Sequence, residues 1–253
     1  MATKIVFVTG TDTGVGKTLL TALLLCHLRQ RGIRALALKP FCSGGRVDAE
    51  LLHALQHGDL TLAEINPFYF SEPVAPLVSA RLHKRRIPLD QVIQHISSIA
   101  TRVEQIPRPQ IADLRIKNPK ARIQNYLLIE GSGGLLVPLG KGYTVRDLIS
   151  RLACDVLVVS RNQLGTINHT LLTLEGLTAP PSRSSLRASR SKVVLMDSPP
   201  SRDLSRRTNP SILAELLAPI PLVLFPFLPT NCLSPRMLKV MAHRCHKTLS
   251  GLV

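Results

Sequence analysis

One stretch near the N-terminus, Lys4–Thr18 (KIVFVTGTDTGVGKT), constrains the fold of this chain more than any other. Ile5, Val6, Phe7 and Val8 make Lys4–Thr9 a short β-rich apolar run, the pattern of a buried strand. A Gly/Thr/Asp turn follows, then Lys17-Thr18 and a helical pattern with Leu19, Leu20, Leu23, Leu24 and Leu28 on one side. Strand, glycine loop, Lys-Thr and helix, in that order, are the context in which a phosphate-binding loop works. The backbone N–H groups of Gly14, Val15 and Gly16 are expected to turn inward as an anion cradle, with the positive end of the helix dipole facing the phosphates. Lys17 is expected to bridge β- and γ-phosphate oxygens, and Thr18 to place its hydroxyl on Mg²⁺. The loop is one residue longer than usual: five residues separate Gly10 from Gly16, and Thr11 stands where the first glycine would be.

Apolar runs and helical patterns alternate through the rest of the 253 residues. We therefore expect a single α/β domain over 1–253, a P-loop NTPase-type three-layer fold whose mostly parallel central sheet is flanked by helices. Hydrophobic content of 45% with 19% charged residues is that of a globular chain. Five cysteines form no C-x-x-C pair and no zinc spacing, which suits a reduced, cytoplasmic location. The longest apolar stretch, Leu19–Leu25, is broken by Thr21 and falls far short of the ~20 residues of a membrane span. The net charge of +16 is concentrated in Arg102–Arg122 and Arg183–Arg207. Aromatic content is only 4%, and neither basic stretch interleaves aromatics for base stacking. Both read as solvated basic surface, with no nucleic-acid or membrane partner expected.

Further along, Arg34–Lys39 reads as a second strand, ended by Pro40, which cannot donate to a ladder. Lys39 then lies at the carboxyl end of a parallel strand, where ligands of open α/β sheets bind. Phe41–Gly45 reads as a flexible polar loop and Asp48 as the start of a helix through Leu51, Leu52 and Leu55. Proline-rich Asn66–Ala80 reads as an irregular connection, and Asp90–Val103 returns to helical spacing. Ile106–Gln124, with three prolines among basic residues, reads as an exposed insertion. Tyr126–Ile129 is a third strand; it ends in Glu130-Gly131-Ser132-Gly133-Gly134, a carboxylate and close-approach glycines suited to the second wall of a Mg²⁺–nucleotide site. Asp155–Ser160 is a further strand, leading through Leu164–His169 into a helix to Leu177 with Asn168 as its N-cap and His169 as a structural residue. Thr178–Lys192 reads as a basic loop, Val193–Met196 and Leu222–Phe225 as short strands, and the run from Met237 as an amphipathic helix with Met237, Leu238, Met241 and Leu249 apolar.

Taken together, Gly10–Thr18, Lys39-Pro40-x-x-Ser43-Gly44, Asp48-Ala49, Asn66-Pro67-x-x-Phe70-x-Glu72-Pro73-x-x-Pro76, Glu130-Gly131-x-Gly133-Gly134 and Leu164-Gly165-x-Ile167-Asn168-His169 occur in the order seen in dethiobiotin synthetases, and the chain resembles that family over roughly Lys4–Leu177. The resemblance implies an ATP- and Mg²⁺-dependent cyclo-ligase that forms the ureido ring of dethiobiotin from 7,8-diaminononanoate and CO₂, through a carbamate and a carbamic–phosphoric anhydride. It implies Lys39 and Lys17 as catalytic cations, and Thr18, Asp48 and Glu130 as the Mg²⁺ set. Thr13 and Ser43 are implied at the carbamate, and Gly165, Thr166, Ile167 and Asn168 at the substrate's carboxylate tail across a homodimer interface. Gly131, Ser132 and Gly133, with Met196, Asp197, Pro226, Phe227 and Leu228, complete the implied nucleotide site.

Three features depart from the family pattern. Met196 stands where an adenine-recognising Asn is usual, and Met offers only a weak acceptor sulfur; Met196→Asn is expected to tighten ATP binding. The 106–124 insertion has no counterpart, and 178–192 replaces a compact connection with a basic one. A partitioning or positioning ATPase of the deviant P-loop group is the alternative class, but its signature lysine, five positions before the P-loop lysine, is here Asp12. A degenerate nucleotide-binding homologue without turnover is a third reading, opposed by the retained Lys17, Thr18, Lys39, Asp48 and Glu130.

Overall fold

The computed structural model describes residues 3–107, 124–178, 190–200, 202–229 and 234–253. Most of both basic insertions (108–123 and 179–189) lies outside the described residues. In chain order the elements begin with β1 (Lys4–Gly10), α1 (Lys17–Gln30), β2 (Ala35–Leu38), β3 (Phe41–Ser43), α2 (Val47–Gln56), α3 (Leu62–Ile65), β4 (Phe68–Phe70), α4 (Pro76–Leu82) and α5 (Leu89–Val103). They continue with β5 (Tyr126–Glu130), β6 (Pro138–Gly140), β7 (Tyr143–Thr144), α6 (Val145–Leu152), β8 (Asp155–Arg161) and α7 (Thr166–Thr178). The chain closes with β9 (Ser191–Met196), α8 (Leu204–Leu217), β10 (Leu222–Phe225), α9 (Pro235–Arg244) and α10 (His246–Ser250).

Six strands form the central sheet in the order β10-β9-β8-β1-β5-β2, and every pairing in it is parallel. The inner strands are continuous apolar runs because helices cover the sheet. β1 sits between β5 and β8, with Val8 opposite Glu130 and Gly10 opposite Val159. The carboxyl ends of all six strands therefore share one edge, and the loop after β1 leaves from its middle. Among the described residues no helix is long and apolar enough to cross a membrane.

The helix after the phosphate loop is buried nearly all round rather than along one stripe. Leu20 and Ala22 through Leu28 are buried and Leu19 is half-buried, because α1 packs on β1, β2 and β5 and is covered by α2, α9 and α10. Its His27 lies 3.1 Å from the Ser250 hydroxyl, and burial, aided by Arg31, lowers its pKa to about 4, so it is neutral. α5 has the expected one-sided pattern, with Val92, Ile96, Ile99 and Val103 buried, each worth about 1.5–3 kcal/mol of transfer free energy.

Several local expectations change. Phe41–Ser43 is not a polar loop: β3 pairs in parallel with β4, inside the stretch expected to be irregular. The alternation decides it, since Phe68 and Phe70 are buried while Tyr69 faces out, and Phe41 stacks on Phe68 with centroids 4.9 Å apart. The prolines flank this strand, and Pro76 opens α4 at a position whose N–H would be unpaired anyway. α7 starts at Thr166, so Asn168 is an exposed first-turn residue and not the N-cap. Thr178 is helical and Ser191–Lys192 already belong to β9, so the connection is shorter than expected at both ends. The C-terminal run begins at Pro235 with Ser234 as N-cap and breaks at Cys245 into two helices; Leu238, Met241 and Leu249 are buried, but Met237 is exposed.

Candidate active site

The loop after β1 is held in shape by its neighbours. Gly16 precedes α1 at φ 104°, a left-handed conformation, and an added Cβ would stand 3.2 Å from Met196 Cγ. Thr11 N–H extends the ladder to Val159 O at 2.9 Å, and the guanidinium of Arg161, the last residue of β8, donates to the carbonyl of Gly14. Lys17 is buried and donates to the Asp12 carbonyl at 2.7 Å. Burial, with the nearby Lys39 charge, lowers its pKa to about 8.

Opposite this loop stands the second wall. Gly131 N–H bonds to Val8 O at 2.9 Å, so β5 delivers Glu130 directly beside Thr18. The Thr18 hydroxyl donates to Glu130 Oε1 at 2.7 Å. The same oxygen lies 2.5 Å from Lys39 Nζ, which also lies 3.1 Å from Asp48 Oδ2 and donates to Gly131 O at 3.3 Å. Burial works against the Lys39 charge, but Glu130 and Asp48 more than offset it and hold the amine protonated. Glu130 is 1% exposed, yet its Oε2 has no hydrogen-bond partner, and the buried Ser43 hydroxyl also lacks one. Native structures leave few such atoms unpaired, so both are open to a partner from outside the protein, a ligand or a water. Gly133, at φ 63°, brings this wall against the loop: a Cβ there would meet Val137 at 2.8 Å and lie 3.6 Å from the Thr13 hydroxyl.

The structure thus brings together Thr13, Gly14, Val15, Gly16, Lys17, Thr18, Lys39, Asp48, Glu130, Gly131 and Gly133, while Ser43 ends β3, four residues beyond Lys39. A cleft beside the phosphate loop is lined by Thr11, Asp12, Thr13, Arg161, Thr166 and His169. Thr166 is buried and its hydroxyl lies 2.6 Å from Ser160 Oγ, Ile167 is half-buried, and Gly165 and Asn168 are exposed at the cleft's margin. Sequence reasoning did not single out Arg161; its position at the carboxyl end of the strand next to β1 was the available signal.

At the β9–β10 side the polar groups are already used. Asp197 accepts from Arg206 Nε at 2.8 Å and Nη2 at 2.5 Å, and from Ser198 N–H and Asn162 Nδ2. Asn162, 2% exposed, also donates to Arg206 O and accepts from Asn209 Nδ2. Met196 is buried against Gly16, Pro226 is exposed, and Phe227 and Leu228 are half-buried.

A parallel sheet with a phosphate loop after its central strand, and two lysines and a carboxylate converging on that loop, defines a P-loop nucleotide-binding protein. A family model described as an AAA domain matches residues 4–215. Among solved structures, the MinC:MinD cell division complex of Aquifex aeolicus matches with TM-score 0.52 and 14% identity over 96% of each chain. A ParA bound to nonspecific DNA matches with TM-score 0.53 and 12% identity over 99% of this chain and 96% of that one. At such identities the likeness is one of fold. Closer in sequence are an ATP-dependent dethiobiotin synthetase of an Anaeromyxobacter species, 40% identical over 68% of this chain and 70% of that protein, and one of Thermodesulfovibrio yellowstonii, 31% identical over 88% of each. The chain belongs to the dethiobiotin synthetase family, the ATP-dependent cyclo-ligases that form C–N bonds in biotin synthesis.

Proposed function

We propose that this chain closes the ureido ring of dethiobiotin from 7,8-diaminononanoate, CO₂ and ATP. The observation that carries the reading is Lys39: a buried ammonium at a strand end, beside the phosphate loop, next to a carboxylate with an unpartnered oxygen. One substrate amine adds CO₂ and loses a proton to become a carbamate. A carbamate oxygen attacks the γ-phosphorus and ADP departs, leaving a carbamic–phosphoric anhydride. The second amine attacks the carbonyl carbon, a C–N bond forms, a proton is lost and phosphate leaves. Negative charge is dense at every stage, so catalysis is chiefly positioning and charge stabilisation. Lys17 serves the β- and γ-phosphates, Lys39 the transferred phosphoryl and the carbamate, and Thr13 with Ser43 the carbamate oxygens. The buried, unpartnered Ser43 hydroxyl suits that role.

Among the described residues no three His, Cys, Asp or Glu side chains gather as a metal cluster. Mg²⁺ does not require one, since it binds through one or two carboxylates, waters and phosphate oxygens. Thr18, Asp48 and the free oxygen of Glu130 fit that donor set, and the ion would screen charge between the β- and γ-phosphates. A homodimer whose Gly165–Asn168 turn serves the partner's substrate tail would cover the exposed Leu164 (81%) and Leu172 (57%), in or beside α7. The reaction's ATP and the cysteine spacing suit the cytosol.

Phosphate release with MgATP and bicarbonate, with and without 7,8-diaminononanoate, tests the reading when paired with product mass. Diamine-dependent release with a product of dethiobiotin's mass is expected. Release that ignores the diamine but rises with DNA or lipid would overturn it.

A further inference from the structure

The Lys39 ammonium sits among oxygens as a bound cation does, contacting a Glu130 oxygen at 2.5 Å, an Asp48 oxygen at 3.1 Å and the Gly131 carbonyl at 3.3 Å. The contacted Glu130 oxygen also accepts from Thr18 at 2.7 Å. Glu130 and Asp48, two of the three donors proposed for a divalent ion, thus already contact a positive charge, and Thr18 hydrogen-bonds one of them. From this geometry we infer that Lys39 is the resident counter-ion of the divalent-cation site in the nucleotide-free protein. Loading the metal and releasing Lys39 toward the γ-phosphate are then one exchange. This rests on the metal placement proposed above.

Charge balance drives the exchange. Lys17 and Lys39 together offset Glu130 and Asp48. A divalent ion arriving alone would leave a surplus of positive charge beside the Lys39 ammonium, in a cluster that is buried at Glu130 and half-exposed at Asp48. Like charges brought together there repel, most strongly on the buried Glu130 side. A polyphosphate arriving with the ion removes the surplus and offers Lys39 new oxygens. The metal therefore enters with nucleotide, and Lys39 does not reach the phosphoryl group until the metal is in place.

Binding of Mn²⁺ to the purified full-length protein, read from loss of the free-ion EPR signal, tests this without turnover. Without nucleotide, Lys39→Met and the hydrogen-bonding Lys39→Gln are expected to bind Mn²⁺ at least tenfold more tightly than wild type, and adding Glu130→Gln to either should abolish the gain. Wild type should bind Mn²⁺ tightly only with a non-hydrolysable ATP analogue. The Gln variant covers the case in which Lys39→Met fails to fold. If wild type binds Mn²⁺ with the analogue in a Glu130-dependent way, yet neither Lys39 variant tightens nucleotide-free binding, the metal site stands and the exchange is overturned. Glu130-independent binding throughout would overturn both. None of these measurements uses the diamine, so they leave the substrate assignment to its own assay.

Discussion

Two polar clusters lie at the same edge of the sheet, and they differ in how completely they are satisfied. Around β8, β9 and α8, each oxygen of Asp197 and both ends of the Asn162 amide are used within the protein. At the ends of β5 and β3, Glu130 Oε2 and Ser43 Oγ are buried with nothing to bond. Burying an unpaired polar atom costs about 1–3 kcal/mol, so the second cluster is destabilising as it stands and is completed by a partner from outside the chain. The first holds strand ends and helix together; the second is arranged for chemistry. Residue type alone does not separate them, because both are built from carboxylates, cations and small polar groups.

The sharpest way to break the comparison is to change one charge in the incomplete cluster. Lys39→Met should lower kcat for diamine-dependent phosphate release about 10²-fold or more, with ATP affinity by calorimetry changing far less. A rise confined to KM would show that Lys39 serves ground-state binding instead. The complete cluster should respond the other way. Asn162→Ala leaves Asn209 only the Gln163 carbonyl and removes a donor from both Asp197 and the Arg206 carbonyl, so urea denaturation should show a loss of about 1–3 kcal/mol while kcat stays within about threefold. A collapse of activity without a loss of stability would move this cluster to the catalytic side.

A pH series sharpens the contrast further. Lys17 has an ordinary pKa of 10.5, lowered in the folded protein to about 8 by burial and Lys39. Phosphate favours its charged form, so binding ATP above pH 8 must take up a proton. Affinity should then fall by at most about tenfold per pH unit above 8, with proton uptake visible as a buffer-dependent binding enthalpy. The sign for stability is opposite. Between about 8 and 10.5 the unfolded chain holds more protons at this group than the folded one, so its contribution to stability rises with pH. The smallest effect is expected at Arg161, whose hydrogen bond to the loop goes to Gly14 O. Arg161→Ala should weaken ATP binding by about two- to tenfold and leave the melting temperature unchanged.

Much of the phosphate side was legible in the chain, because its signal is local. Strand, glycine loop, Lys17-Thr18 and helix lie within a few residues of each other, and Pro40 and Gly131 mark the ends of the strands that carry Lys39 and Glu130. The misreadings share one cause: they fall where packing overrides local composition. Phe41–Ser43 and Phe68–Phe70 are too short and too proline-flanked to read as strands until each is placed beside the other. α1 reads as one-sided in its leucine spacing but is buried all round, because α9 and α10, more than 200 residues later, cover its outer face.

By itself the sequence determined which chemistry the chain carries: a phosphate loop, two lysines, two carboxylates, and a family whose motifs occur in order. Short-range spacing encodes these, since backbone geometry within a turn or a strand end is set by the residues there. Tertiary structure alone decided which of them meet. That Lys39, and not a solvent-facing partner, closes on Glu130 depends on β5 pairing with β1 and β2 on either side. That Asp197 is spent on Arg206 depends on α8 returning to the end of β9. Contacts between residues far apart in the chain arise from packing a whole sheet and its helices, and no local window of sequence contains that information.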